Sequence, residues 1–292
     1  HSYCCFSLTN INTNIFKMNR RTILKGVISL TVLLSGCASN ERYIKLFEEY
    51  EKAKLEKYKA EIERIKNAVY LVQTETTFRH LEGEKKGLEF IEKNQGIATA
   101  IKEDLLLTVD HVVSEYELQP FYSPFGIIPP PKVERVREIS YLQEDRLRPT
   151  EEKEPLKYVL EDLVVDREND IALLRSNHKK LEHYPFELSD RIYVGQRVLM
   201  FGYPHFISPT VQYGQVSSLE PKLKRILRDI SPENKFLINI GINPGDSGSV
   251  IVDRNNFKLV GIAEGKFSNT ESIAFGIRAD FIYQKIICLS KF

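Results

Sequence analysis

From residue 68 onward, the chain is a succession of short segments rich in Val, Ile, Leu, Tyr and Phe, separated by Gly, Pro, Asn and Asp. Many short strands with turn residues between them are typical of an all-β sandwich or barrel. No helical pattern alternates with these segments, so a parallel sheet with crossover helices is disfavoured. The predicted strands are residues 68–76, 96–102, 105–109, 158–165, 171–175, 197–202, 211–218, 236–240, 249–253, 259–264 and 273–278.

Helices are predicted on both sides of the strands. Residues 41–67 are rich in Glu and Lys and contain no Gly or Pro, which favours a helix. Its apolar stripe changes phase between Tyr50 and Leu55, so it does not sustain a coiled-coil repeat. This charged helix is either a spacer that packs on its own domain or a small stalk that forms a homo-oligomer. Residues 279–289 predict a closing helix.

Two stretches interrupt the strand pattern. Residues 115–131 contain five prolines and predict loop or extended chain, because proline cannot donate to a sheet ladder: Pro120, Pro124, Pro129, Pro130 and Pro131. Residues 144–155 are charged and also predict a loop. Either insertion is a candidate lid, partner surface or passive loop.

The N-terminal residues have the pattern of an export signal. Met18 is the first Met, and a basic region is followed by an apolar run over residues 26–34. That run is shorter than the roughly 20 residues needed to span a bilayer. Residues 18–36 therefore predict a signal peptide, and residues 1–17 an upstream segment outside the fold. Residues 19–25 also resemble a twin-arginine export signal.

The end of this signal resembles the lipobox of bacterial lipoproteins, in Leu34-Ser35-Gly36-Cys37. The resemblance implies cleavage before Cys37 and a diacylglycerol on its thiol. Residues 37–67 would then tether the protein to a bacterial membrane, on the periplasmic or outer surface. The alternative is an uncleaved signal anchor with an incidental cysteine.

Cysteine usage and charge exclude other classes. With Cys4 and Cys5 in the upstream segment and Cys37 assigned to lipid, Cys288 is left alone, so no disulfide is predicted within the domain. The formal net charge of +1 argues against a nucleic-acid binder dominated by phosphate contacts. No metal site and no cofactor are predicted.

Three polar residues each adjoin a predicted strand. His111 follows residues 105–109, Asp170 precedes residues 171–175, and Ser247 lies in a glycine-flanked turn before residues 249–253. A single histidine in such a place is usually a core residue, but the three together favour a Ser-His-Asp site. Gly245 permits a backbone conformation in which N–H groups point at one spot, as an oxyanion hole requires.

Their order along the chain discriminates between hydrolase classes. An α/β-hydrolase runs Ser, acid, His and needs Gly-x-Ser-x-Gly, whereas Ser249 stands at the last of those positions. The His-Glu-x-x-His motif of metalloproteases is absent.

Residues 108–113, 169–174 and 241–252 resemble trypsin-like serine peptidases, most closely the bacterial Deg-type (high-temperature-requirement) branch. Residues 95–100 and 194–204 support the resemblance, which covers about residues 68–286. It implies a peptidase domain over residues 68–289, built from two packed antiparallel β-barrels at about 68–185 and 186–289. His111 and Asp170 would come from the first barrel and Ser247 from the second, with the site between them.

The resemblance also implies residue roles. His111 is the general base, Asp170 orients it, and the N–H groups of Gly245 and Ser247 form the oxyanion hole. Gly241 and Ile242 would line the substrate pocket, which predicts small or medium apolar P1 residues. The alternative is that Glu264 supplies a carboxylate to the pocket, which would then accept Lys or Arg.

Asp110 departs from the family pattern, whereas Asp246 keeps a family position without its usual partner. Asp110 stands where Ala or Asn is usual, and its charge is expected to raise the pKa of His111. In trypsin-like zymogens the Asp beside the catalytic Ser pairs with a new N-terminal amine, and Asp246 holds that position. No Ile-Val-Gly-Gly start precedes the first strand, so Asp246 must have another partner or lie exposed, and activity without cleavage is expected.

These observations predict an exported, lipid-anchored serine endopeptidase that acts on protein or peptide substrates in the cell envelope. Too few residues follow Ser247 to add a PDZ module, so none is expected. The alternative function is a catalytically silent binding module on the same fold, with the insertions as its partner surface.

Overall fold

The structure, a computed structural model, describes residues 38–114, 121–123, 126–128, 132–143, 157–177, 180–219, 234–266 and 272–289. The predicted upstream segment, signal peptide and Cys37 lie outside these residues, as does the charged loop at 144–155. The chain divides into two compact units, His1–Ala60 and Glu61–Phe292. No helix in the described part of the chain has the length and hydropathy of a membrane span.

Helix α1, Ala38–Asn67, confirms the predicted charged helix and begins three residues earlier. In the first unit its large apolar side chains are exposed: Ile44, Leu46, Phe47, Tyr50 and Leu55. Pairs such as Glu56 and Lys59, with Nζ and Oε1 2.9 Å apart, stabilise an exposed helix by a few tenths of a kcal/mol each. In the second unit, the last turns of α1 bury Ile65 completely.

The second unit contains two closed antiparallel barrels, as predicted. The first has the strand order β1-β2-β3-β8-β7-β6. Its strands are β1 Val69–His80, β2 Glu89–Ala100, β3 Leu105–Thr108, β6 Val133–Gln143, β7 Lys157–Asp166 and β8 Ile171–Ser176. Helix α2, Asp110–Val113, follows β3, and the short strands β4 Phe121–Ser123 and β5 Gly126–Ile128 pair with each other.

The second barrel has the order β10-β11-β14-β13-β12-β9. Its strands are β9 Arg197–Gly202, β10 Thr210–Ser218, β11 Lys235–Ile238, β12 Val250–Asp253, β13 Leu259–Lys266 and β14 Ala274–Arg278. A 3-10 turn, Pro204–Phe206, follows β9, and helix α3, Ala279–Leu289, closes the fold. Ile262, Ile277 and Ile282 of these elements belong to the core cluster of the first barrel, so the barrels pack on a shared apolar core.

The strand predictions fail in one region. Strand β6 was not predicted, and β2 begins at Glu89 rather than residue 96. There the first half of β2 and most of β6 are solvated and carry many charges. Arg79 of β1 binds Glu89 of β2 and Glu134 of β6. A prediction based on apolar content misses strands whose cross-strand contacts are ion pairs. The short β4–β5 pair lies within residues 115–131, where loop or extended chain was predicted.

Candidate active site

His111 is held at the end of β3 by close packing of helix α2. Val112 and Val113 are buried, and Val112 lies directly over Gly96 of β2. A Cβ at Gly96 would lie 2.2 Å from a Val112 methyl, so only glycine lets the helix approach this closely. The Asn94 side-chain amide donates to the His111 carbonyl. The His111 side chain itself is 45% exposed.

Asp170, in the turn between β7 and β8, holds His111 through two contacts. Its Oδ1 accepts from the His111 backbone N–H at 2.9 Å, and its Oδ2 lies 2.8 Å from the ring Nδ1. Asp170 adopts a φ of 57°, a conformation that Asp tolerates better than most residues. This contact fixes both the position of the imidazole and the nitrogen that carries its proton.

The Asp170 turn is also tied to the second barrel. Asn169 is buried, and its Nδ2 donates to the Asp166 carboxylate at 2.9 Å. Its Oδ1 accepts a 2.7 Å hydrogen bond from the amide of Asn234, the residue before β11. The two barrels are therefore joined beside the candidate acid.

Ser247 lies in a turn whose shape depends on two glycines. Gly245 and Gly248 have φ values of 95° and 88°. A Cβ would lie 2.4 Å from the Tyr203 carbonyl oxygen at Gly245 and 2.0 Å from the Ile97 carbonyl oxygen at Gly248. No other residue type fits such positions without displacing the backbone.

Main-chain bonds dock this turn against both barrels. The Ile97 N–H of β2 donates to the Ser247 carbonyl at 2.9 Å, and the Gly248 N–H donates to the Ala263 carbonyl of β13 at 2.9 Å. Because Ile97 neighbours Gly96, which lies under helix α2, these bonds place the turn close to His111. The serine is thus positioned across the junction of the barrels.

The groups of the turn that face outward are available for a ligand. The half-buried Ser247 hydroxyl donates to the Glu264 carbonyl at 3.3 Å. The backbone N–H groups of Gly245 and Ser247 bond to no acceptor within the described residues. Two unpartnered N–H groups on either side of a residue form an arrangement that can receive an oxyanion.

Glu264 of β13 makes an ion pair beside this turn. Its Oε2 lies 2.6 Å from Nζ of Lys235 in β11, and the two side chains are 14% and 2% exposed. Glu264 was predicted only as an alternative pocket carboxylate, and Lys235 was not among the predicted site residues. A lysine at the start of an apolar strand carries no local signal of burial. The pairing of Lys235 with Glu264 is therefore apparent only from the structure of the barrel.

A trypsin-like peptidase domain model matches residues 96–262, more than half of the chain. The chain belongs to the trypsin-like peptidase domain family. A curated protein named "Serine protease HtrA-like" from Staphylococcus aureus (strain bovine RF122 / ET3-1) is 29% identical over 135 residues. That match covers 42% of this chain and 17% of the relative, so the chain spans only a small part of that protein.

Solved structures support the same fold. The "HtrA-type protease AlgW with decapeptide" aligns with a TM-score of 0.57 at 20% identity, covering 80% of this chain and 67% of that one. The "HtrA-type protease AlgW with tripeptide" gives a TM-score of 0.55 at 22% identity, with coverages of 80% and 64%. Together these matches support the predicted similarity of the peptidase domain to the Deg-type, or HtrA-type, branch.

Asp246 of the peptidase domain is fully buried beside Ser247. Its Oδ2 accepts from the Asn243 N–H at 2.9 Å and from the Gln212 amide at 3.3 Å. Its Oδ1 has no hydrogen-bond partner among the described residues. Burial raises the pKa of this carboxyl, and the hydrogen bonds offset the effect only in part. Asp246 is therefore buried rather than exposed, and the Asn243 N–H and the Gln212 amide that bind it are uncharged.

The charge of His111 is controlled by three carboxylates. Partial desolvation lowers its pKa, whereas the hydrogen bond and charge of Asp170, followed by the charges of Glu264 and Asp110, raise it, and the net direction is upward. Asp110 has the effect expected from the sequence but is the smallest of these contributions. Burial raises the pKa of Asp110 itself, although its carboxylate accepts from the Ser114 hydroxyl.

The predicted pocket residues lie upstream of the serine turn. Ile242 is 4% exposed and belongs to the apolar core of the second barrel, while Gly241 is half-buried. No described contact relates either residue to His111, so their role in the pocket stays a prediction. Within the described ranges, no group of His, Cys, Asp and Glu side chains is arranged to bind a metal.

Proposed function

We propose that the chain is a serine endopeptidase that hydrolyses peptide bonds through an acyl-enzyme, with His111, Asp170 and Ser247 as its triad. The observation that carries the proposal is the 2.8 Å contact between His111 and Asp170, beside a serine turn bonded across the same barrel junction. The family supports the same chemistry.

In this mechanism His111 accepts the hydroxyl proton of Ser247 as the serine attacks the scissile carbonyl. The hydroxyl first exchanges its hydrogen bond to the Glu264 carbonyl for one to Nε2 of His111, because catalytic hydrogen bonds often tighten only with substrate bound. Asp170 accepts from Nδ1–H throughout and stabilises the imidazolium. His111 then gives the proton to the leaving amine.

The tetrahedral intermediate needs donors for its oxyanion, and the N–H groups of Gly245 and Ser247 supply them. Both are without an acceptor in the described residues, and the glycine φ of 95° sets their direction. Loss of one such donor costs about 2.7–4 kcal/mol of transition-state stabilisation.

Substrate preference follows from the pairing of Glu264. Its carboxylate already binds the buried Lys235, so it does not serve as the anionic base of a Lys or Arg pocket. We therefore favour small or medium apolar P1 residues next to Gly241, with modest discrimination among them. Related HtrA-type structures with bound tripeptide and decapeptide support peptide substrates.

The proposed location is the bacterial cell envelope, with the lipid on Cys37 as the anchor and helix α1 as the spacer. The Leu34-Ser35-Gly36-Cys37 sequence supports the anchor. The exposed apolar residues of α1, such as Phe47 and Tyr50, support self-association of this helix.

A fluorophosphonate probe tests the chemistry, because it reacts only with an activated serine. Labelling of the wild-type chain at Ser247, abolished by Ser247→Ala and by His111→Ala, is the expected result. Folded wild-type protein that neither labels nor cleaves casein would support the silent binding module instead. Mass spectrometry of the digest identifies the P1 preference in the same experiment.

A further inference from the structure

The Lys235–Glu264 ion pair is an unexpected feature of the second barrel. Lys and Glu are rarely buried unless paired, and Lys235 is 2% exposed. A buried ion pair contributes little net stability, because desolvation of both charges opposes their attraction. Stability of the barrel is therefore a weak explanation for this pair.

The pair is fixed against the serine turn by the main chain. The Glu264 carbonyl accepts the hydrogen bond of the Ser247 hydroxyl at 3.3 Å. The preceding residue, Ala263, accepts from the Gly248 N–H at 2.9 Å and donates to the Ser249 carbonyl at 2.8 Å. The Glu264 side chain is therefore attached to the same residue whose carbonyl binds the Ser247 hydroxyl.

The other end of the pair adjoins the Asp170 turn. Lys235 directly follows Asn234, whose amide donates to Asn169 at 2.7 Å, and Asn169 precedes Asp170. Two consecutive residues of the second barrel thus contact the acid turn and the Glu264 carboxylate. The Lys235–Glu264 pair is therefore connected by hydrogen bonds of neighbouring groups to both the Asp170 turn and Ser247.

The charged groups that act on His111 come from three elements. Asp170 precedes β8, Glu264 lies in β13, and Asp110 lies in α2, and each favours the protonated imidazole. Burial raises the pKa of Glu264, and the charge and hydrogen bond of Lys235 offset this effect only in part, so the net direction is upward. Lys235 therefore helps to keep the Glu264 carboxylate ionised.

We propose that Glu264, held ionised by Lys235, is a positioning residue that stabilises the imidazolium of His111 as a second fixed anion beside Asp170. The proposal rests on the proposed peptidase function. Glu264 exchanges no proton in this step, because the Ser247 proton passes to His111 and then to the leaving amine. Its effect is electrostatic and acts through His111.

The Glu264→Gln variant tests this role in the pH profile of kcat/KM, measured from about pH 5 to about pH 9, which reports the protonation of the free enzyme's base. Loss of the anion shifts the acid limb to lower pH, so that at the acid end the normalised kcat/KM rises at least about twofold over wild type. Glu187→Gln, which removes an exposed partner of Lys258, is the control and leaves the limb unchanged.

The double variant Glu264→Gln/Lys235→Met guards against misfolding, since it removes the pair without leaving a buried lone charge. It shifts the acid limb in the same direction. Lower turnover with an unmoved acid limb in both variants would reduce the pair to a structural role and overturn the proposal.

NMR titration of His111 in the Ser247→Ala background separates this proposal from the peptidase function. The expected result is a midpoint at lower pH when Glu264→Gln is added. An unmoved midpoint overturns the role of Glu264 even in an active enzyme. A shifted midpoint in a chain whose parent does not label with fluorophosphonate retains the charge effect and rejects the peptidase function.

Discussion

The two halves of the site are held in place by different means. In the first barrel, His111 and Asp170 are fixed by side-chain hydrogen bonds, with additional contacts from Asn94 and Asn169. In the second barrel, the serine turn is fixed by main-chain bonds and by the φ values of Gly245 and Gly248. Polar substitutions in the first half should therefore change the protonation of His111. Substitutions that add a Cβ in the second half should instead distort the backbone of the serine turn.

Ser247→Ala has the largest expected effect and tests whether chemistry in the second half can be removed without changing its shape. We expect kcat to fall by about 10⁶-fold, as for loss of a triad nucleophile, with little change in unfolding temperature. Hydrolysis of a fluorogenic peptide and thermal unfolding measure the two quantities. Ser249→Ala, in the same turn, is the matched control and retains activity. Equal turnover by wild type and Ser247→Ala would contradict the assignment.

Asp170→Asn tests the first half. The amide removes the acceptor for the His111 Nδ1 proton and favours the wrong tautomer, so kcat should fall by about 10⁴-fold. The fold should persist, because the Asn169 contacts to Asp166 and Asn234 are unchanged. Asp190→Asn, at a side chain that is 86% exposed, is the control. An unfolded Asp170→Asn variant would show that this half is not held as described.

The contrast between the halves also explains what the sequence predicted. The fold class followed from apolar segments and turns, and all eleven predicted segments overlap strands of the confirmed barrels. The grouping of Ser247 with His111 was predicted because each adjoins its own strand, and the family resemblance supported it. The contact that docks the serine turn, from the Ile97 N–H to the Ser247 carbonyl, has no signal in the local sequence. Strand β6 was missed because its stabilising contacts are ion pairs such as Arg79 to Glu134.

Two site features depend on contacts that no local pattern specifies. Lys235 is the first residue of the apolar strand β11, and no local pattern indicates that its ammonium group meets Glu264 of another strand. Asp246 was recognised as a charge that needs a partner, but its burial against Asn243 and Gln212 depends on how the turn folds. Sequence spacing indicates which residues adjoin a turn, and the barrel determines which of them meet.

Gly248→Ala tests the main-chain mechanism of the second half. A methyl group there would lie 2.0 Å from the Ile97 carbonyl oxygen. The backbone φ of +88° at this position is also unfavourable for alanine. Strain of this kind costs about 1–3 kcal/mol before any clash, so unfolding temperature and activity should fall together. Gly265→Ala, where nothing lies within 4 Å of the added Cβ, is the control. Urea denaturation measures the difference, and equal midpoints for both variants would contradict the argument.

Asp246→Asn has the smallest expected effect. It tests whether a buried charge, in addition to backbone geometry, affects the stability of the serine turn. Burial raises the pKa of Asp246, so the folded chain binds this proton more tightly than the unfolded chain. The carboxylate therefore costs stability once the pH rises through the raised pKa, and the cost disappears below the ordinary Asp range. Asparagine keeps an acceptor for the Asn243 N–H and removes the buried negative charge.

We expect Asp246→Asn to raise the free energy of unfolding at neutral pH by about 1 kcal/mol, the scale of one unsatisfied buried polar group. The gain should shrink as the pH falls. Asp253→Asn is the matched contrast, because both Asp253 oxygens accept hydrogen bonds, from Gln196 at 2.8 Å and the Asn255 N–H at 2.7 Å. That variant should lose stability instead. Urea denaturation at neutral and acidic pH decides the matter, and a gain for Asp246→Asn that does not depend on pH would exclude the buried charge as its cause.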